Sequence, residues 1–315
     1  MLIARARWQL HQLPEAVKQV EPHALAASQF PDSEIYAQAL AMYAGGLTLL
    51  NQSDKAYSIL NPLLAKDRGW RERWLHFATS QFDAANANQA IERVAALTDA
   101  NAEAEQIIVT EAWIMLSQRS GGKYLPMARR QIEPLLKRPD ATAGAFTAMA
   151  YVEELENNSA GAEVHYRKAL ALDPAFYAAN NNLAMLLVRK TGDAGTEVNI
   201  AREAVDLAKA AVKAVPSAAT YDTLARAQAR AREMDGALDS MRTCVKMDAN
   251  NLTRRLDLIA MLLDFSKMDE ARVAIALLES TTASGTNNEI RHRLTELRSR
   301  LEGSTPTATR PSATR

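Results

Sequence analysis

Residues 143–174 read AGAFTAMAYVEELENNSAGAEVHYRKALALDP, and this stretch supplies the period for the remaining chain. Phe146, Met149, Ala150 and Leu155 fall on one side of a helix with 3.6 residues per turn, which predicts an amphipathic helix. The polar run Glu156, Asn157, Asn158, Ser159 ends it. Ala162, Tyr166, Ala169, Leu170 and Leu172 then repeat the helical spacing. Asp173-Pro174 closes the unit, because proline lacks the N–H a continuing helix requires.

The same two-helix unit recurs along the chain. A small residue marks the second helix of each copy at Ala16, Ala56, Ala90, Ala128, Ala162, Ala204, Ala237 and Ala271, at intervals of 40, 34, 38, 34, 42, 33 and 34 residues. Two helices that cross closely have no room for a larger side chain at the crossing, where overpacking costs about 1–3 kcal/mol. Pro22, Pro62 and Pro134 each fall six residues after a crossing alanine, a second mark in the same phase. Each is expected to bend or shorten its helix. The eight extra residues between Ala162 and Ala204 are assigned to a loop at 190–197, read from Gly192 and Gly195.

This unit resembles the tetratricopeptide repeat, a helix pair of 34 residues with small and aromatic residues at set positions. The match is strongest at 71–102, where Trp74, Phe77, Ala78, Ala90, Val94 and Leu97 occupy those positions in order. Tyr221, Leu224, Ala225, Ala237, Met241 and Cys244 take the same roles at 218–249. The resemblance implies an all-α fold, a right-handed superhelical α-solenoid of antiparallel helix pairs, over residues 1–302. Residues 1–30 are expected to be an incomplete first repeat and 287–302 a C-terminal capping helix bearing Ile290, Leu294, Leu297 and Leu301 on one face. Residues 303–315, GSTPTATRPSATR, contain only Thr, Ser, Pro, Arg, Gly and Ala and predict a disordered tail.

Composition narrows the function classes. With 37 Lys and Arg balanced by 37 Asp and Glu, the chain lacks the surplus of cations that holding a nucleic-acid backbone requires. One cysteine, Cys244, excludes an internal disulfide and a cysteine metal cluster. The start, MLIARARWQLHQLPEAV, has no apolar core of a secretory signal, and no stretch has the length of a membrane-spanning helix. A cytoplasmic location is the default expectation, with the cell envelope as the alternative if Met1 begins an excerpt.

Enzymatic constellations are missing from the sequence. His11, His23, His76, His165 and His292 are scattered over different repeats without helical metal-site spacing, and Gly121-Gly122-Lys123 lacks the remainder of a phosphate loop. No cofactor, metal or catalytic residue is expected. The resemblance implies instead a groove lined by the first helix of each unit, at Glu72, Leu75, Thr79 and Phe82; Thr147, Tyr151 and Glu154; Asn181 and Met185; and Asp222 and Arg226. Of these, Phe82, Tyr151, Asn181, Asp222 and Arg226, together with Asn182, are the candidate partner-binding residues. The expected function is a non-enzymatic scaffold that binds a partner protein or peptide through this surface. The alternative is a structural segment of a longer bacterial repeat protein in an envelope or secretion complex. A basic stripe of Arg226, Arg230 and Arg232, near Lys213 and Arg242, reads as a solvated face with Arg230 supported by Glu233.

Overall fold

A computed structural model describes residues 2–10, 12–26, 34–191, 194–281 and 288–303. Among them there is no strand. The helices form two compact units, residues 1–172 and 173–315.

The first unit holds five helix pairs: α1 (Leu2–Gln9) with α2 (Leu13–Ala26), α3 (Glu34–Leu49) with α4 (Ser53–Lys66), α5 (Arg68–Gln81) with α6 (Ala84–Ala95), α7 (Glu103–Arg119) with α8 (Leu125–Ile132), and α9 (Ala143–Leu155) with α10 (Ser159–Leu172). The second holds α11 (Tyr177–Arg189) with α12 (Ala194–Ala214), α13 (Ala218–Arg230) with α14 (Met234–Met247), α15 (Leu252–Asp264) with α16 (Met268–Thr281), and α17 (Asn288–Gly303). Within each unit each paired odd helix packs on its even partner, successive pairs pack on one another, and α17 packs on α15 and α16.

All eight crossing alanines lie on even helices and none is more than 1% exposed. The alanine row is therefore the line along which each pair closes. In the strongest-matching repeat the aromatic residues form a cluster of rings in contact. Trp74 stacks on Phe77 with centroids 5.8 Å apart and meets Tyr57 and Phe82 edge-on at 6.0 and 5.6 Å. Two glycines let α3 approach its neighbours: a Cβ on Gly45 would stand 2.2 Å from the Phe77 ring, and one on Gly46 would stand 2.2 Å from Val17.

A second repeating device sits in the turns inside pairs. Asn51, Asn157, Arg232 and Ser266 all have φ near +60°. Each lies five residues before its crossing alanine. The residue that follows each one donates its N–H back to the helix, Gln52 to Leu47, Asn158 to Glu153, Glu233 to Gln228 and Lys267 to Leu262, each at 2.8–2.9 Å. This left-handed stop satisfies carbonyls that the helix end would leave open.

Three local expectations change. The extra residues of the long unit lengthen a helix: α11 ends at Arg189 and α12 runs 21 residues from Ala194, so Gly195 is helical. Its sequence, AGTEVNIAREAVDLAKAAVKA, consists largely of good helix formers, and a glycine in the first turn costs little where N–H groups are unpaired anyway. Gly192 lies outside the described residues. Of the three prolines only Pro134 shortens its helix, with α8 ending at Ile132 before a 3₁₀ turn at Leu135–Lys137. Pro22 and Pro62 lie inside α2 and α4, near their C-terminal ends. The expected tail, apart from Gly303, lies outside the described residues.

Candidate functional site

In the first unit α1, α3, α5 and α7 bring their free faces together as a groove with two cavities. One, of 540 Å³, lies across α1, α3 and α5. Its apolar floor includes Trp8, Met42 and Phe77, with Trp8 meeting Phe77 edge-on at 5.7 Å. Its polar rim is tied across helices: Arg5 donates to Gln38 at 2.6 Å, Gln38 to Glu34 at 3.2 Å, and Arg73 to Glu34 at 3.3 Å. The second cavity, of 360 Å³, lies between α5 and α7, and His76 borders both. Leu75, Ile107, Ile108 and Met115 wall it, and Arg68, Glu72 and Glu111 bring charge to it. Arg68 is occupied by Glu72 one turn away, at 2.9 Å. Glu111 makes no hydrogen bond or ion pair with any described residue. Glu111 is exposed at the cavity mouth; partial desolvation, then the Glu72 charge, raise its carboxyl above the usual range against the opposing charge of Arg68.

Several expected groove positions belong to the core. Phe82 is 1% exposed, wedged against Trp74 and Phe77, and presents nothing to a partner. Thr79 and Thr147 are buried too, while Leu75, also buried, still walls the smaller cavity. The two threonines return their hydroxyls to the Leu75 and Ala143 carbonyls of their own helices, at 2.8 and 2.7 Å. The groove runs instead through Met42 and His76, which hold in their repeats the place that Asn182 holds in its own. Tyr151 is half-buried, its hydroxyl accepting from Gln118 at 2.6 Å.

In the second unit Asn181 and Asn182 are half-buried and hydrogen-bonded to each other at 3.1 Å. Asp222 and Arg226 are joined by residues that sequence reasoning did not connect to them. Arg226 donates to Asp222 at 3.0 Å and to Asp257 on α15 at 2.8 Å, and Asp257 also accepts from Arg293 on α17. Burial alone would lower the Arg226 pKa, but its hydrogen bonds and charge pairing with the two aspartates outweigh this and raise it. The column joins successive odd helices by alternating charge. Its one sequence signal is the Asp222–Arg226 spacing of four.

Two more cations of the expected basic stripe, Arg230 and Arg242, are neutralised in the same way. Arg230 pairs with Glu197 at 2.9 Å rather than with Glu233, and its guanidinium also caps the Val188 and Lys190 carbonyls at the end of α11. Arg119 does the same for Thr79 and Phe82 at the end of α5. Arg242 is held by Asp239 and Glu270 at 2.9 and 2.6 Å. Cys244 is buried, and burial pushes its thiol up, away from the reactive thiolate. His165 pairs with the buried Glu153 at 2.7 Å, while His11 lies outside the described residues. No group of three or more metal-ligating side chains forms among the described residues, and no described helix is long and apolar enough to cross a membrane.

Comparison with solved structures returns tetratricopeptide-repeat proteins. PilW, a widely conserved type IV pilus biogenesis factor, superposes with a TM-score of 0.53 at 18% identity, over 71% of this chain and 96% of its own. The Cut9–Hcn1 hetero-tetramer of the APC/C superposes with a TM-score of 0.56 at 12% identity, over 90% of this chain and 52% of that one. A thermophilic repeat protein of Thermus thermophilus gives a TM-score of 0.48 at 18% identity, over 62% of this chain and 98% of its own. No family model matches the chain, and no curated protein matches its sequence. The first two likenesses show that the chain has the tetratricopeptide-repeat fold.

Proposed function

We propose that the protein is a binding scaffold whose first unit holds an extended segment of a partner protein across α1, α3, α5 and α7. The observation that carries this reading is the pair of adjoining cavities, 540 and 360 Å³, that share His76 and open along one groove. An aromatic floor under a polar rim suits alternating side chains, one entering the floor while the backbone meets Gln38, Ser80 and Gln81. The rim is already cross-linked by Arg5, Gln38, Glu34 and Arg73, so little ordering entropy is lost when a segment docks. Affinity then comes from many modest contacts on a preformed frame.

The test fills the groove without touching the core. Gln38 and Ser80 are exposed and border the larger cavity, so Gln38→Trp and Ser80→Trp are expected to abolish partner capture while far-UV circular dichroism is unchanged. Ala85→Trp, on the exposed face of α6, is the control and should capture normally. Capture that survives both groove substitutions would exclude this surface.

A further inference from the structure

We infer that the cavity between α5 and α7 receives the cationic side chain, lysine or arginine, of the docked segment, with Glu111 as the carboxylate that takes its charge. This deepens the groove reading and rests on it. Three features converge on this chemistry. The walls Leu75, Ile107, Ile108 and Met115 suit an aliphatic stem. Lysine and arginine carry such a stem under a charged head and lay it along apolar surface. Next, the charges in the cavity are unequal in availability. Arg68 is engaged by Glu72 within α5, at 2.9 Å, whereas Glu111 on α7 has no hydrogen bond or ion pair of its own among the described residues. Finally, Glu111 stands exposed at the mouth of the cavity, and its repulsion by Glu72 is only partly offset by the Arg68 charge. An incoming cation relieves that repulsion. A neutral side chain does not, and an acidic one would add a third negative charge.

The inference also places the cation. Because His76 borders both cavities, a segment seating an apolar side chain over Trp8 and Phe77 would present its basic residue to Glu111 farther along the same strand. Helix axes pack about 8–10 Å apart, so one step from α5 to α7 corresponds to roughly three residues of extended chain. The recognised pattern is an apolar residue and a basic residue at one fixed, short separation.

The experiment pans a random nonapeptide phage library against the full chain, against Glu111→Gln and against Ala104→Trp, which fills the small cavity from an exposed position. Winning peptides are synthesised with the basic residue or with norleucine in its place, and their affinities are measured by fluorescence anisotropy. Enrichment of Lys or Arg at a fixed distance from an apolar residue is expected on the parent chain. The basic peptide should bind Glu111→Gln at least tenfold more weakly, and the norleucine peptide should bind both proteins alike. Peptides that enrich without a basic residue, yet are displaced by Ser80→Trp, would overturn this inference and leave the groove reading intact. Basic peptides that bind parent and Glu111→Gln equally would also overturn it. If nothing enriches, or if the selected peptides ignore Ser80→Trp and Ala104→Trp together, the groove reading fails and this inference with it.

Discussion

Replacing Gly45 by alanine sets two opposed effects against each other at one atom. Glycine in the middle of α3 costs about 1 kcal/mol relative to alanine by helix propensity, so the exchange should stabilise an isolated helix. In the folded chain the new Cβ would stand 2.2 Å from Phe77 Cε1 and 2.6 Å from Cζ. Ordinary carbon contacts are about 3.5–4 Å, so the ring must move by more than about 1 Å. It is hemmed in by rings, since Trp74 stacks on it at 5.8 Å and Trp8 and Phe82 meet it edge-on at 5.7 Å each, and a shift into the cavity it floors would break those contacts. Overpacking of this kind costs about 1–3 kcal/mol, and each aromatic pair disturbed loses about 0.5–1.5 kcal/mol more. The clash wins, and Gly45→Ala should destabilise the first unit by about 1–3 kcal/mol. All four tryptophans, Trp8, Trp70, Trp74 and Trp113, lie in that unit, so urea denaturation followed by tryptophan fluorescence reads it directly. In a Phe77→Ala background the obstruction is gone, and the same exchange should turn stabilising by about 1 kcal/mol. A midpoint raised by Gly45→Ala alone, or single effects that add to within about 0.5 kcal/mol in the double variant, would refute the close approach of α3 and α5.

Arg232 holds a left-handed conformation at φ 61°, so Arg232→Gly should raise the stability of the second unit by about 1 kcal/mol in thermal unfolding by circular dichroism. Arg71 is 5% exposed, donates to the Leu64 carbonyl at 2.5 Å and is paired with Glu105. Glu105→Ala should therefore cost about 3 kcal/mol by leaving a buried guanidinium uncompensated, and Arg71→Met with Glu105→Leu should recover most of that loss. Glu111 has its folded pKa raised by desolvation and by Glu72, so the native state binds its proton more tightly than the unfolded chain does. Stability on this account falls as pH rises from the ordinary carboxylate pKa through the raised one. Glu111→Gln should be more stable than the parent at pH 7, and the difference should vanish once the carboxyl is protonated in both states; a difference that grows on acidification would contradict the sign.

The repeat was legible because its strongest constraint is written in residue identity. A buried helix crossing accepts alanine and little else, and eight alanines at intervals of 33–42 residues mark every even helix that the structure shows. The turns were less legible for a chemical reason. A left-handed stop is usually written as glycine, but here Asn51, Asn157, Arg232 and Ser266 occupy it, and arginine and serine carry no such signal. The lengthened α12 was hidden by Gly195, which signals a loop when read alone and costs little in a first helical turn. Phe82 was misplaced because a repeat position names a place on the pattern and not a direction. As the residue ending α5 it has extended backbone, φ −91° and ψ 157°, and its ring folds back onto Trp74.

The distribution of charge separates surfaces that hold the protein together from one that is left unsatisfied. In the second unit Arg226, Arg230, Arg242 and Arg293 each meet a carboxylate, so these cations are engaged within the fold. Removing one of these exposed or half-buried pairs changes stability by about 1 kcal/mol or less, so a binding defect from such a substitution would be weak evidence for contact with a partner. Glu111 differs in kind. It stands exposed at the mouth of a cavity with apolar walls, and Arg68, the cation that acts on it, is already paired with Glu72. A carboxylate at such a cavity with no ion pair of its own among the described residues is where an incoming cation gains most, and that difference is what makes the α5–α7 cavity a selective site.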